Sequence, residues 1–164
     1  MRRVVVTAIA LSLATVLAGC GDSSSSGGEE AAKAPPVPAP TPEEMKATLA
    51  TLPAPYNTAD LANGQAKFGL CASCHTITPG GPNMTGPNLF GVMGHKAGVH
   101  PNYNYSEALK TSGWTWEPEQ LDHWLENPRT TLPGTKMSFI GMRDEKDRRD
   151  VIAYLMVNSP PKAQ

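Results

Sequence analysis

The chain has 164 residues, enough for one domain with appendages. Its formal net charge is -1, with 14 Lys and Arg against 15 Asp and Glu, so no basic surface for nucleic acid is implied. The three cysteines, Cys20, Cys71 and Cys74, are an odd number, so at least one needs an account of its own.

Met1-Arg2-Arg3 is a short basic start, and the apolar run over residues 4–17 is too short to span a bilayer well. Leu17-Ala18-Gly19-Cys20 then resembles a bacterial lipobox, in which the signal peptide is cut before the cysteine and the thiol carries lipid. An ordinary signal peptide or an uncleaved anchor is the plainer alternative, but it leaves Cys20 with no role. Residues 1–19 are therefore read as a lipoprotein signal peptide and residues 20–55 as a linker. The run of serines at 23–26 with Gly27 and Gly28 is flexible by composition, and the proline-rich stretch at 34–40 favours polyproline II. Thr41-Pro42-Glu43-Glu44 predicts a short capped helix through Leu49 that stops before Pro53. No apolar periodicity there suggests a second core.

A globular domain is expected over residues 56–160. Thr58 or Asp60 caps a helix running to about Leu70, with Leu61 and Phe68 on its apolar face and Gly64 allowing close approach of another helix. That helix delivers the chain to Cys71-Ala72-Ser73-Cys74-His75. Two thiols three positions apart, followed at once by an imidazole, read as covalent attachment of a c-type haem. Each thiol adds across one vinyl group, and His75 falls where it can ligate the iron. A thioredoxin-like pair and half a zinc site are the rivals. The first has no need of His75, and the second lacks another CxxC.

Residues 77–99 are rich in Gly and Pro and read as loop. Ser106 caps a short helix through Lys110. A further helix starts over residues 115–118, carries Leu121, Trp124 and Leu125 on one face, and ends before Pro128. Residues 130–141 are loop. Asp144 or a neighbour opens the last helix, whose buried side is Val151, Ile152, Tyr154 and Leu155, and Pro160-Pro161 closes it. No run alternates with period two, so no substantial sheet is expected. His100 and His123 read as solvated or core histidines, Met84, Met93 and Met156 as packing residues, and Trp114 as a loop aromatic. The charged run over 143–150 reads as the solvated face of the last helix.

Several segments together resemble the class I cytochromes c. These are Gly64 and Phe68 ahead of the CxxCH motif; Gly86-Pro87-Asn88-Leu89-Phe90-Gly91; Leu125-Glu126-Asn127-Pro128; Pro133-Gly134-Thr135-Lys136-Met137; and Ile152-Ala153-Tyr154-Leu155. The resemblance implies an all-α class I cytochrome c fold, with crossed first and last helices around one covalent haem c. It implies Gly64 at the crossing, with Phe68 against Val151 and Tyr154. It implies that the Pro87 carbonyl accepts the proton of His75, that Tyr105 and Trp116 bond the propionates, and that Thr135 bonds near the haem. Met137 is implied as the sixth ligand, a soft thioether on a loop, with Met142 as its competitor. Two departures stand out. His95 falls where the family often has an arginine, and Trp124 stands where mitochondrial members have a tyrosine.

The function expected is one-electron transfer, not enzymatic turnover, by a monomer lipid-anchored through Cys20 on the periplasmic side of a bacterial membrane. Its partners are redox proteins, membrane complexes such as a bc1-type donor and a terminal oxidase or reaction-centre acceptor, with no nucleic acid. The alternatives are a fixed haem subunit of a dehydrogenase or oxidase, and a ligand-binding enzyme or sensor. Co-purification in mild detergent tests the first, and ligand-binding spectra of the reduced protein test the second.

Overall fold

The computed structural model describes residues 38–159. The signal peptide, Cys20, the Ser/Gly stretch and Pro160-Pro161 lie outside the described residues.

The helices begin where short polar side chains take up free backbone N–H groups. Helix α1, Pro42–Thr51, has a full capping box: Thr41 Oγ1 accepts from the Glu44 N–H, and the Glu44 carboxylate accepts from the Thr41 N–H. A 3-10 turn, Tyr56–Thr58, leads into α2, Leu61–Ala72. Asp60, not Thr58, caps α2, accepting from the N–H groups of Ala62 and Asn63, each at 3.0 Å. Ser106 caps the single turn α3, Glu107–Lys110. Helix α4, Pro118–Glu126, starts on a proline and has no side-chain cap. Asp144 caps α6, Glu145–Asn158, accepting from the Asp147 N–H at 2.9 Å.

Helix α6 is the hub, packing against α1, α2, α4 and the 3-10 turn. Neighbours on several sides bury it almost all round, with Val151, Ile152, Ala153, Leu155 and Val157 each at most 4 % exposed. Helix α2 crosses it at Gly64. A Cβ on Gly64 would lie 2.8 Å from the Asp150 carbonyl carbon and 2.9 Å from the Tyr154 Cβ, so only hydrogen fits. Phe68 meets Tyr154 there, ring centroids 5.6 Å apart. Among the described residues there is no named strand, only an isolated antiparallel bridge between Lys96 and Thr115. The fold is all-α, with its first and last core helices crossed, as expected.

Three expectations change. Helix α1 packs on α6 and the 3-10 turn, with Leu49 and Leu52 against the core, so packing begins at α1 and not near Tyr56. Pro128 does more than end α4: with Asn127 as cap it starts a further turn, α5, Pro128–Thr131. The charged run over 143–150 is not simply a solvated face, because Arg148 and Asp150 are buried. Asp150 accepts from Lys146 at 2.6 Å, Asn63 at 2.8 Å and the Asp60 N–H at 3.1 Å, tying α6 to the start of α2.

Candidate functional site

Helix α2 carries Cys71 in its last turn. The Cys74 and His75 N–H groups both bond back to the Cys71 carbonyl, at 3.0 and 2.9 Å, so the chain winds on just past the helix. This brings both thiols and the imidazole to the wall of one cavity of about 580 Å³. That volume is in the range of cofactor sites. A second hollow, of about 490 Å³ beside Tyr56, is lined by charged groups such as Glu119, Asp122 and Arg149 and has no sulfur or imidazole. The chemistry therefore lies in the first.

His75 is held from two directions. Its Nδ1 lies 2.7 Å from the Pro87 carbonyl, which only accepts, so Nδ1 bears the proton and Nε2 keeps its lone pair. Gly86 lies against the ring, where a Cβ would come within 2.6 Å of both ring nitrogens. Burial lowers the His75 pKa, and the Pro87 bond opposes this only in part, so the neutral, ligating form is favoured. Burial, with Cys74 nearby, pushes the Cys71 thiol up to about 11. A disulfide-exchange pair needs a lowered thiol pKa, so this environment argues against the thioredoxin-like alternative. The zinc alternative lacks ligands: among the described residues, no three His, Cys, Asp or Glu side chains are placed to hold one metal ion.

The same cavity is lined by Met137 and Thr135, from the loop between α5 and α6, and by Pro87, Tyr105 and Trp116. Thr135 Oγ1 accepts from the Met137 N–H at 3.1 Å. Met142 is buried in the core but is not part of the lining. Burial drives Tyr105 up to about 12, and its ring stands edge-on to Tyr103 at 4.7 Å. Every expected cofactor residue among those described therefore faces one space. The cavity suits a bulky apolar ring joined to the chain by sulfur, with imidazole and thioether available to its iron.

The lining also holds groups that the sequence did not single out. His100 belongs to it, as do exposed Leu70 and Val99. Trp114 lies on the loop between α3 and α4, as expected, and is half-buried. It packs edge-on to Trp116 at 6.0 Å and Trp124 at 5.8 Å, closing a triangle with the 5.8 Å contact between those two. Met84 is 46 % exposed and is not a packing residue. His95 and Trp124 line the cavity, whereas His123 points to solvent. The Trp114 cluster had one sequence signal, three tryptophans within eleven positions, but no helical period links them.

The family model described as "Cytochrome c" matches residues 61–159. Cytochrome c2 of Rhodomicrobium vannielii is 45% identical over 100 residues, covering 61% of this chain and 80% of that protein. Cytochrome c of Kluyveromyces lactis is 40% identical over 106 residues, 64% of this chain and 96% of the yeast protein. Among solved structures, cytochrome cH from Methylobacterium extorquens is 45% identical, with a TM-score of 0.56, covering 59% of this chain and 97% of that one. The chain belongs to the cytochrome c family, whose members carry one covalent c-type haem and act as electron carriers, not enzymes.

Proposed function

We propose that this protein carries single electrons between membrane redox complexes on the periplasmic side of a bacterial membrane, tethered by lipid at Cys20. The haem supplies a one-electron iron couple. In this reading Cys71 and Cys74 would form its two thioether links, and His75 Nε2 and the Met137 sulfur would ligate its iron. Pro87 holds the His75 tautomer and raises its donor strength through the Nδ1 bond. Tyr105 and Trp116 present apolar bodies with polar tips suited to the propionates, and Thr135 braces the Met137 backbone. The apolar walls exclude water and favour the less charged reduced state. A bc1-type complex is the proposed donor, and a terminal oxidase or a reaction centre the proposed acceptor.

The observation that carries this reading is the convergence of two thiols, one imidazole with a free lone pair and one thioether on a single apolar cavity. The decisive experiment compares Met137→Ala with Met142→Ala. The first is expected to abolish the weak near-infrared sulfur-to-iron band and to open the reduced iron to CO. The second is expected to lower stability by about 2–5 kcal/mol, as for a large-to-small core change, and to keep the band. The opposite pattern makes Met142 the ligand.

A further inference from the structure

Met137 sits on a long irregular stretch between α5 and α6; Met137 and Phe139 pack part-buried against the core, but the backbone hydrogen bonds of the stretch lie at its ends. On the near side, the Thr135 N–H bonds to the Leu132 carbonyl at 3.1 Å. Lys136 reaches across to the carbonyls of Asn104 and Tyr105, at 2.9 and 3.2 Å, but it is solvent-exposed, so water competes for it. Beyond Met137, the N–H groups of Ser138, Phe139, Ile140 and Gly141 make no backbone hydrogen bond among the described residues, and Ile140 is 89 % exposed. The next fixed point is at 141–143. Gly141 lies close against the Glu126 carbonyl, and the Met142 N–H bonds to the Leu125 carbonyl at 2.8 Å.

Arg148 completes that fixed point. One guanidinium nitrogen donates to two loop carbonyls, Met142 at 3.0 Å and Arg143 at 2.9 Å. The other two donate to the Asp122 carboxylate on α4, at 2.8 and 3.3 Å. The Arg148 side chain is 8 % exposed, whereas the basic partner in the other ion pairs is at least 28 % exposed. A planar fork with fixed donor directions serves a carboxylate and two carbonyls at once; a lysine ammonium lacks that fork. Removing it leaves the loop carbonyls of Met142 and Arg143 without this donor, and leaves the Asp122 carboxylate, 33 % exposed, to water in place of its partner.

We propose that Arg148 is a positioning residue for Met137: by clamping the far end of the loop to α4 and α6, it sets how rarely the Met137 thioether leaves the cavity. The proposal rests on Met137 being the sixth ligand. Its consequence is quantitative. An external ligand binds the iron only in the fraction of molecules whose Met137 has swung away, so its apparent affinity scales with that fraction.

The test uses the full haem-loaded protein and imidazole as probe. Arg148→Leu is expected to keep the near-infrared band, because Met137 remains bound in most molecules. It is expected to strengthen imidazole binding to the oxidised protein by about tenfold, the equivalent of one lost charge-assisted hydrogen bond. Exchange at the Met142 N–H should accelerate with it. Arg148→Lys should fall between wild type and leucine, and Asp122→Asn should shift binding in the same direction by less. Gly64→Ala serves as the stability control: it strains the distant helix crossing, so it should lower the melting temperature and leave imidazole affinity unchanged. Imidazole affinity that tracks melting temperature across all these variants would overturn the clamp, as would Arg148→Leu with wild-type affinity. If Met137→Ala itself leaves the band intact, the ligand reading fails first; if it removes the band and Arg148→Leu changes nothing, only the clamp fails.

Discussion

At the scale of single residues, a buried carboxylate is the most demanding group in this chain. Asp150 has no exposed surface. Burial alone disfavours its charge, but hydrogen bonds from Lys146, Asn63, the Asp60 N–H and Arg149 outweigh it and hold the carboxyl below the usual aspartate value of 3.8. The sign follows from proton counting. Near and just below pH 3.8 the unfolded chain takes up a proton that the folded chain refuses, so stability is full above that value and falls as pH drops through the lower folded value. Acid titration followed by circular dichroism should therefore show a loss that begins near pH 4. In Asp150→Asn this loss should be smaller, and stability at neutral pH should be lower, since four donors converge on a site where the amide offers one acceptor oxygen in place of two. An acid profile unchanged by the substitution would mean that Asp150 is not ionised in the fold.

At the scale of elements, the crossing of α2 and α6 positions the whole site, because α2 delivers Cys71, Cys74 and His75 while Val151 and Leu155 of α6 form part of the cavity wall. Gly64 makes that crossing close. Gly64→Leu should force the helices apart at a cost of about 1–3 kcal/mol or more. The haem spectrum should persist, because thioether attachment does not depend on the crossing distance, while the melting temperature falls. An undisturbed melting temperature would contradict the close approach at Gly64.

At the scale of the molecule, ten basic and ten acidic side chains lie from Tyr56 onward, so the domain has no net field to steer it over long distances. Confinement to the membrane is the proposed substitute, since tethering raises effective concentration near membrane partners. With α1 packed on α6, the free tether is shorter than the expected linker of residues 20–55. The proposed tether between Cys20 and Thr41 is about twenty residues long, a length whose reach would be roughly 25 Å for a flexible chain and more with the prolines at 34–40 extended. Cys20→Ser behind an ordinary cleavable signal peptide should yield a folded, soluble haem protein that supports electron flow in membranes poorly at native abundance. Equal flow at the same copy number would sink the tether.

What the sequence determined by itself is the local chemistry. The CxxCH spacing, the capping residues Thr41, Asp60, Ser106 and Asp144, and the helix-starting prolines act over a few positions, so their partners are visible in the string of letters. The resemblance to a known family brought in the more distant residues, Pro87, Tyr105, Trp116, Thr135 and Met137, in advance. Tertiary structure alone decided the rest. Arg148 finds Asp122 26 positions away, and Asp150 takes the Asp60 N–H across 90. In sequence both are letters in a charged helix, indistinguishable from solvated neighbours. Their burial depends on which helix crosses over them, and no local period encodes that. The same holds for α1, whose capping residues predict a helix but not the surface it packs against, and for Trp114, whose ring finds its partners only once the chain has folded back on itself.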